Sequence, residues 1–168
     1  MSVILIVGLP HGGTTILRKI IGNIPKVMDY IEEVDAIIGV NVNLYLSKIK
    51  NTEYEAIVIK SPFTPTNLAS LKHPKLKIVY IIKNPYDIYG SYRLRFQSED
   101  HYNVYYADRY GIGKYEFLVR MWLNLRNDPD IFTVKYEDLF CNEYAKVKEL
   151  VSWLGYSWSD DIVYSKRI

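Results

Sequence analysis

Short segments at the ends of apolar runs carry residue types that could do chemistry, two of them suited to holding an anion. The first is Gly8-Leu9-Pro10-His11-Gly12-Gly13-Thr14-Thr15. It follows an apolar run, Val3 to Val7, and leads into Ile16, Leu17, Ile20 and Ile21 at helical spacing. A strand, a glycine-rich turn and a helix start bring free backbone N–H groups and partial positive charge to a phosphate. Glycine lets the backbone approach the anion, and Thr14 and Thr15 add hydroxyl donors. The spacing is that of a Walker A loop except that Thr14 stands where the Walker lysine belongs. Without that cation the β- and γ-phosphates of a nucleoside triphosphate lose their main partner. A P-loop nucleotide or small-molecule kinase is therefore the weaker alternative.

The second segment is Lys83-Asn84-Pro85-Tyr86-Asp87-Ile88-Tyr89-Gly90-Ser91-Tyr92, after the apolar run Ile78 to Ile82. Asn84 can cap a helix, and Pro85 at its first position loses no hydrogen bond. Asp87 and Ser91 are four residues apart and share a helix face. Lys83 falls at the end of the preceding strand. Taken alone, this is a well-capped helix containing a serine. The third segment, Tyr136-Glu137-Asp138-Leu139, closes the run Phe132 to Tyr136, and Lys60-Ser61-Pro62 closes Ala56 to Ile59.

These runs imply the elements that must position them. All-apolar strands alternating with helical patterns indicate a parallel sheet buried on both faces. The predicted fold is three-layer α/β of the P-loop type, a central parallel sheet with helices on both faces. Residues 34–49 carry a second apolar stripe, and residues 98–112 are polar, Tyr-rich and aperiodic, a predicted loop. Helices are expected around Tyr115 to Arg126 and Val147 to Leu154, the latter stopped by Gly155. Ligands of such sheets bind beyond the carboxyl ends of the strands. The length of 168 residues suits one domain, 1–168, with no linker or repeat.

In order and spacing the segments resemble the sulfotransferases that use 3′-phosphoadenosine 5′-phosphosulfate (PAPS). That family's 5′-phosphosulfate loop reads Pro-(Lys/Arg)-Ser-Gly-Thr-Thr, and its 3′-phosphate motif reads Arg-(Asn/Asp)-Pro-x-Asp-x-x-x-Ser-Tyr. This chain has Pro10-His11-Gly12-Gly13-Thr14-Thr15, then Lys83, Asn84, Pro85, Asp87, Ser91 and Tyr92 in register. Tyr136 to Leu139 matches the family's Tyr-Glu-Asp-Leu, and Trp153-Leu154-Gly155-Tyr156 is similar to its Phe-Leu-Gly-Leu. His11 replaces the loop's basic residue, Gly12 its serine and Lys83 the arginine.

The resemblance implies sulfuryl transfer from PAPS to a hydroxyl or amine, with 3′-phosphoadenosine 5′-phosphate (PAP) as product. His11, Gly12, Gly13, Thr14 and Thr15 would hold the phosphosulfate, Lys83 and Ser91 the 3′-phosphate, and Tyr136 the adenine. Lys166 and Arg167 would close over the 3′-phosphate as a basic pair near the family's C-terminus does, or are a solvated tail. Transfer in line needs positioning and neutralisation of the leaving oxygen. His11 and Lys60 are the candidates for that, and His11 is cationic only where its pKa allows. The histidine some members carry two residues beyond the middle-strand lysine is Pro62 here. Other members place a glutamate after the first helix, which favours Glu33, beside Glu32, as the base. The scheme requires no metal, and His11, His73 and His101 lack ligand spacing. A PAP- or nucleotide-binding relic without turnover is a third reading.

The expected partner is a small-molecule or carbohydrate acceptor. Tyr102, Tyr105, Tyr106 and Tyr110 could stack on it, or simply pack their loop. A net charge of +2 argues against nucleic acid. The single cysteine, Cys141, permits a reducing compartment, and the short apolar start has no basic n-region or spanning length. A cytoplasmic location is expected, and homo-oligomerisation is left open.

Overall fold

The computed structural model describes residues 1–34, 36, 40–62, 68–95 and 112–164. Five strands form one parallel sheet: β1 (Ser2–Val7), β2 (Val27–Glu33), β3 (Ala56–Ser61), β4 (Leu76–Ile82) and β5 (Ile131–Lys135). Their order is β2-β3-β1-β4-β5, every pair parallel. The apolar runs become the three inner strands, as expected of strands covered on both sides.

Strand pleating sends alternate residues to opposite faces. Ile4, Ile6, Val58, Val79 and Ile81 pack with α1 (Thr14–Gly22) and α5 (Ala145–Leu154). Val3, Leu5, Val7, Ile57, Ile59 and Tyr80 pack on the other face against α2 (Val42–Ile49) and α4 (Ile112–Leu125). The Tyr80 hydroxyl donates to the Leu118 carbonyl of α4 at 2.9 Å, and burial pushes its pKa well above the ordinary phenol range. The helix α3 (Pro85–Arg95) follows β4, and Asn84 Oδ1 accepts from the Tyr86 N–H at 2.9 Å, the predicted cap. Gly155 ends α5 at φ +92°, where the Gly155 and Tyr156 N–H groups close onto Ser152 and Val151.

The second strand differs from expectation. Sequence periodicity gives Val27–Glu33 no strand, but it forms the sheet's edge beyond β3. An edge strand has one hydrogen-bonded neighbour and little burial, so it needs no continuous apolar run. Ile31 is 76% exposed. Within the stripe over 34–49, Val42–Ile49 is helical, and Asn41 caps the Leu44 N–H at 3.1 Å. Among the described residues no helix is long and apolar enough to cross a membrane.

Candidate functional site

Because all five strands are parallel, the loop after β1, the end of β3, the turn after β4 and the turn after β5 share one edge. The chain leaves β1 towards β2 and β3 and later returns to β4 on β1's other flank. That reversal opens a crevice between the β1 and β4 loops, the usual ligand position in such sheets.

The β1 loop turns tightly, with the Gly12 N–H bonded to the Leu9 carbonyl at 2.9 Å. Two residues enter the left-handed region, His11 at φ +61° and Gly13 at φ +95°. Gly13 is the N-cap of α1, and a Cβ there would lie 2.3 Å from Cδ2 of Tyr136. Only glycine meets both demands. Thr14 is buried at the helix start, and Thr15 follows it.

Lys60 lies under this helix end. Ala56 and Val58 face α1, and period-two alternation carries Lys60 to the same face. Its side chain is 9% exposed, which demands partners. The ammonium donates to Thr15 Oγ1 at 2.9 Å and to Glu33 Oε1 at 2.5 Å. Glu33 itself is 54% exposed, so one carboxylate links the buried lysine to solvent. Glu33 closes β2 rather than starting a helix, and it reaches Lys60 through a shift in register. Asp29 pairs with Val58, yet Glu33 pairs with Lys60, so β2 carries extra residues between them. Glu32 accepts from the Tyr30 hydroxyl instead.

A second group surrounds Lys83. Its ammonium sits 4.3 Å from the centroid of the Tyr136 ring. Its carbonyl accepts from the Tyr115 hydroxyl at 2.8 Å, and burial raises the pKa of that phenol. The Asn84 N–H donates to Glu137 Oε1 at 2.7 Å, tying the turn after β4 to the turn after β5. Lys83, Tyr86, Asp87, Gly90, Ser91 and Leu94 line an open groove of about 600 Å³. Ser91 Oγ lies 3.4 Å from His11 Nδ1.

The predicted residues thus gather at one edge as two clusters: Thr15, Lys60 and Glu33 around α1, and His11, Lys83 and Ser91 beside α3. Tyr136 stands between them, its ring against Gly13 and under Lys83. The sequence did not single out Glu137 or Tyr115 as supports for the Lys83 turn. Their partners lie tens of residues away, and no spacing announces them. Lys166, Arg167, His101, Tyr102, Tyr105, Tyr106 and Tyr110 lie outside the described residues. Among the described residues no three His, Cys, Asp or Glu side chains gather as metal ligands.

Solved structures share this fold. A mouse sulfotransferase complexed with PAP superposes with a TM-score of 0.62 at 18% identity, covering 96% of this chain and 62% of its own. Retinol dehydratase in complex with androsterone and inactive cofactor PAP gives 0.60 at 16%, covering 96% and 62%. The sulfotransferase domain of the Synechococcus PCC 7002 olefin synthase gives 0.67 at 16%, covering 99% and 78%. The chain thus spans about 62% of the length of the first two. No curated protein sequence matches. These likenesses speak for the fold, while the sequence model of the sulfotransferase domain matches residues 2–166. With the loop after β1, the Lys83–Ser91 segment and the Tyr136 turn all inside that match, the chain belongs to the sulfotransferase domain family.

Proposed function

We propose that the chain transfers the sulfuryl group of PAPS to a hydroxyl or amine of a small acceptor. The observation that carries this reading is the pairing of two anion-holding ends on adjacent central strands, the α1 start after β1 and the Lys83–Ser91 groove after β4. A molecule with phosphate-type groups at both ends suits that pair better than a triphosphate. The start of α1 offers N–H groups and two threonine hydroxyls for the 5′ end. Lys83 and Ser91 take the 3′-phosphate, and Tyr136 lies beside both for the adenine. PAP in two structural neighbours supports the same ligand.

In the transfer, an acceptor oxygen or nitrogen bonds to sulfur as the bond from sulfur to the 5′-phosphate oxygen breaks. PAP leaves with that electron pair, and the acceptor's proton goes to a base. Lys60 is the cation held against Thr15, so in this reading it stabilises charge on the transferring and leaving oxygens. Glu33, joined to Lys60 and open to solvent, takes the proton. The androsterone of one neighbour is a precedent for a small apolar alcohol.

The test is thermal stabilisation by PAP against ATP and ADP, with and without Mg²⁺. A ligand of the native state raises its stability by mass action. PAP should raise the melting temperature most, without Mg²⁺, and Lys83→Ala should remove that advantage. Larger, Mg²⁺-dependent stabilisation by ATP would refute the reading in favour of a kinase. PAP binding with no turnover on a panel of alcohol and amine acceptors would leave a PAP-binding module.

A further inference from the structure

The far end of the sheet carries a cavity that sulfuryl transfer does not use. It measures about 500 Å³ and is bounded by the start of β4, the Pro129–Asp130 turn before β5 and Trp153 in the last turn of α5. Pro74, Leu76, Pro129 and Trp153 supply apolar lining, and a few charged or polar side chains complete it. That size and mixture are those of a small-molecule pocket. From Lys77 in this cavity to Lys83 at the other end, the extended chain runs about 20 Å.

Strand pleating puts Lys77 on the face of Val79 and Ile81, under the end of α5. Its ammonium donates to the Trp153 carbonyl at 2.7 Å and sits 4.9 Å from the centroid of the Trp153 ring. Both partners are neutral, and the first is one of the carbonyls that a helix end leaves without an intrahelical bond. Burial lowers the Lys77 pKa, the effect of taking an ammonium out of water. Lys72, the other lysine of the lining, is instead held by Asp128 at 3.0 Å and Asp130 at 3.4 Å. Among the described residues Lys77 makes no ion pair.

The aromatic wall is fixed in advance. The Trp153 indole N–H donates to the Pro129 carbonyl at 3.2 Å, and its ring centroid lies 5.5 Å from that of Phe132. A surface already held in place spares a ligand the cost of ordering it. His73, also on the lining, accepts the Lys75 N–H on Nδ1 at 3.1 Å. The neutral ring therefore carries its proton on Nε2, where it can donate.

We infer that this cavity is a second binding site, for a flat aromatic molecule bearing one carboxylate or sulfonate group. The ring packs on the apolar lining beside Trp153, and the oxyanion meets the Lys77 ammonium in a charge-assisted hydrogen bond. A neutral ring would leave that ammonium without an anion, and a small inorganic anion would leave the apolar lining uncovered. The site lies outside the nucleotide cradle, so failure of PAP to bind would leave it standing.

The measurement is calorimetric titration with 2-naphthoate, with its uncharged amide 2-naphthamide and with acetate, in the presence and absence of PAP. Lys77→Gln keeps an N–H donor for the Trp153 carbonyl and removes the charge. Lys77→Met is the second variant should the first fail to fold, and the exposed Lys75→Gln is the control. Wild type should prefer 2-naphthoate to both other probes. In Lys77→Gln, 2-naphthoate should weaken roughly tenfold to a hundredfold, the size of a lost hydrogen bond between charged groups. Binding of 2-naphthamide, and of both aromatic probes to Lys75→Gln, should stay within about threefold, the range of inert surface changes. PAP should not displace 2-naphthoate. A lysine that only caps α5 would lower the melting temperature when replaced and leave the preference for the carboxylate untouched, which would overturn the assignment. Equal binding of 2-naphthoate and 2-naphthamide by wild type, no binding at millimolar concentration, or displacement by PAP would overturn it as well.

Discussion

Gly13→Ala probes the point where the loop after β1 packs against the turn after β5. The residue sits at φ +95°, where an L-residue costs about 1–2 kcal/mol. The new methyl would lie 2.3 Å from Cδ2 and 2.9 Å from Cε2 of Tyr136, so the ring must move. Overpacking of that kind costs about 1–3 kcal/mol. Together these give about 2–5 kcal/mol, a large part of the roughly 5–15 kcal/mol that holds a domain folded. For a chain of this size the melting temperature should fall by about 4–20 °C. PAP affinity should fall with it, because the displaced ring also underlies Lys83. A control separates the two costs: Tyr136→Ala in the Gly13→Ala background should recover the steric part and leave the backbone part. A Gly13→Ala protein within about 0.5 kcal/mol of wild type, the usual range for inert surface changes, would refute the claim that this packing is tight.

Two further outcomes follow from the same geometry. Lys60→Met keeps the buried stem and leaves Glu33 solvated, so the fold and PAP affinity should persist while kcat falls about 10²–10³-fold, the loss typical of one electrostatic stabiliser; an unchanged kcat would remove Lys60 from the chemistry. At the opposite end of the sheet, the Asp130 N–H and the Lys72 ammonium hold the Asp128 carboxyl below its usual pKa. A depressed carboxyl stabilises the fold above its unfolded value near 4 and loses that contribution as pH falls through the folded value. The melting-temperature gap between wild type and Asp128→Asn should therefore be present at pH 7 and shrink below about pH 4; a gap independent of pH would contradict this.

The sequence discloses the β1 loop and the Lys83 turn more fully than the contacts that join them to the rest of the sheet edge, for a physical reason. Helix caps and glycine turns are local, so Gly8 to Thr15 and Asn84-Pro85 show their backbone roles within a few residues. Apolar inner strands are equally visible, since burial on both faces forces composition. Contacts between strands leave no such trace. Tyr136 against Gly13, Glu137 on the Asn84 N–H and Tyr115 on the Lys83 carbonyl depend on which strand ends are neighbours. Its place after the first helix points to Glu33, but the route of that carboxylate to Lys60 runs through an edge strand that periodicity misses. The left-handed backbone at His11 is likewise not announced by its residue type.

The irregular register of β2 separates two kinds of change the chain can absorb. Strict pairing onward from Asp29 and Val58 would set Ile31 opposite Lys60 and leave Glu33 beyond the end of β3. The extra residues slide the carboxylate back to the lysine. They do so on the sheet's margin, while the β1 loop and the Lys83 turn hang from central strands. Lengthening or trimming residues 30–32 by two would thus keep the Glu33 carboxylate on its face of the sheet and move it by two residues' rise, about 6.6 Å, and leave the β1 loop and the Lys83 turn in place. On the proposed sulfuryl-transfer reading, heritable variation in that segment would alter the acceptor half of the site while the nucleotide half stays constant.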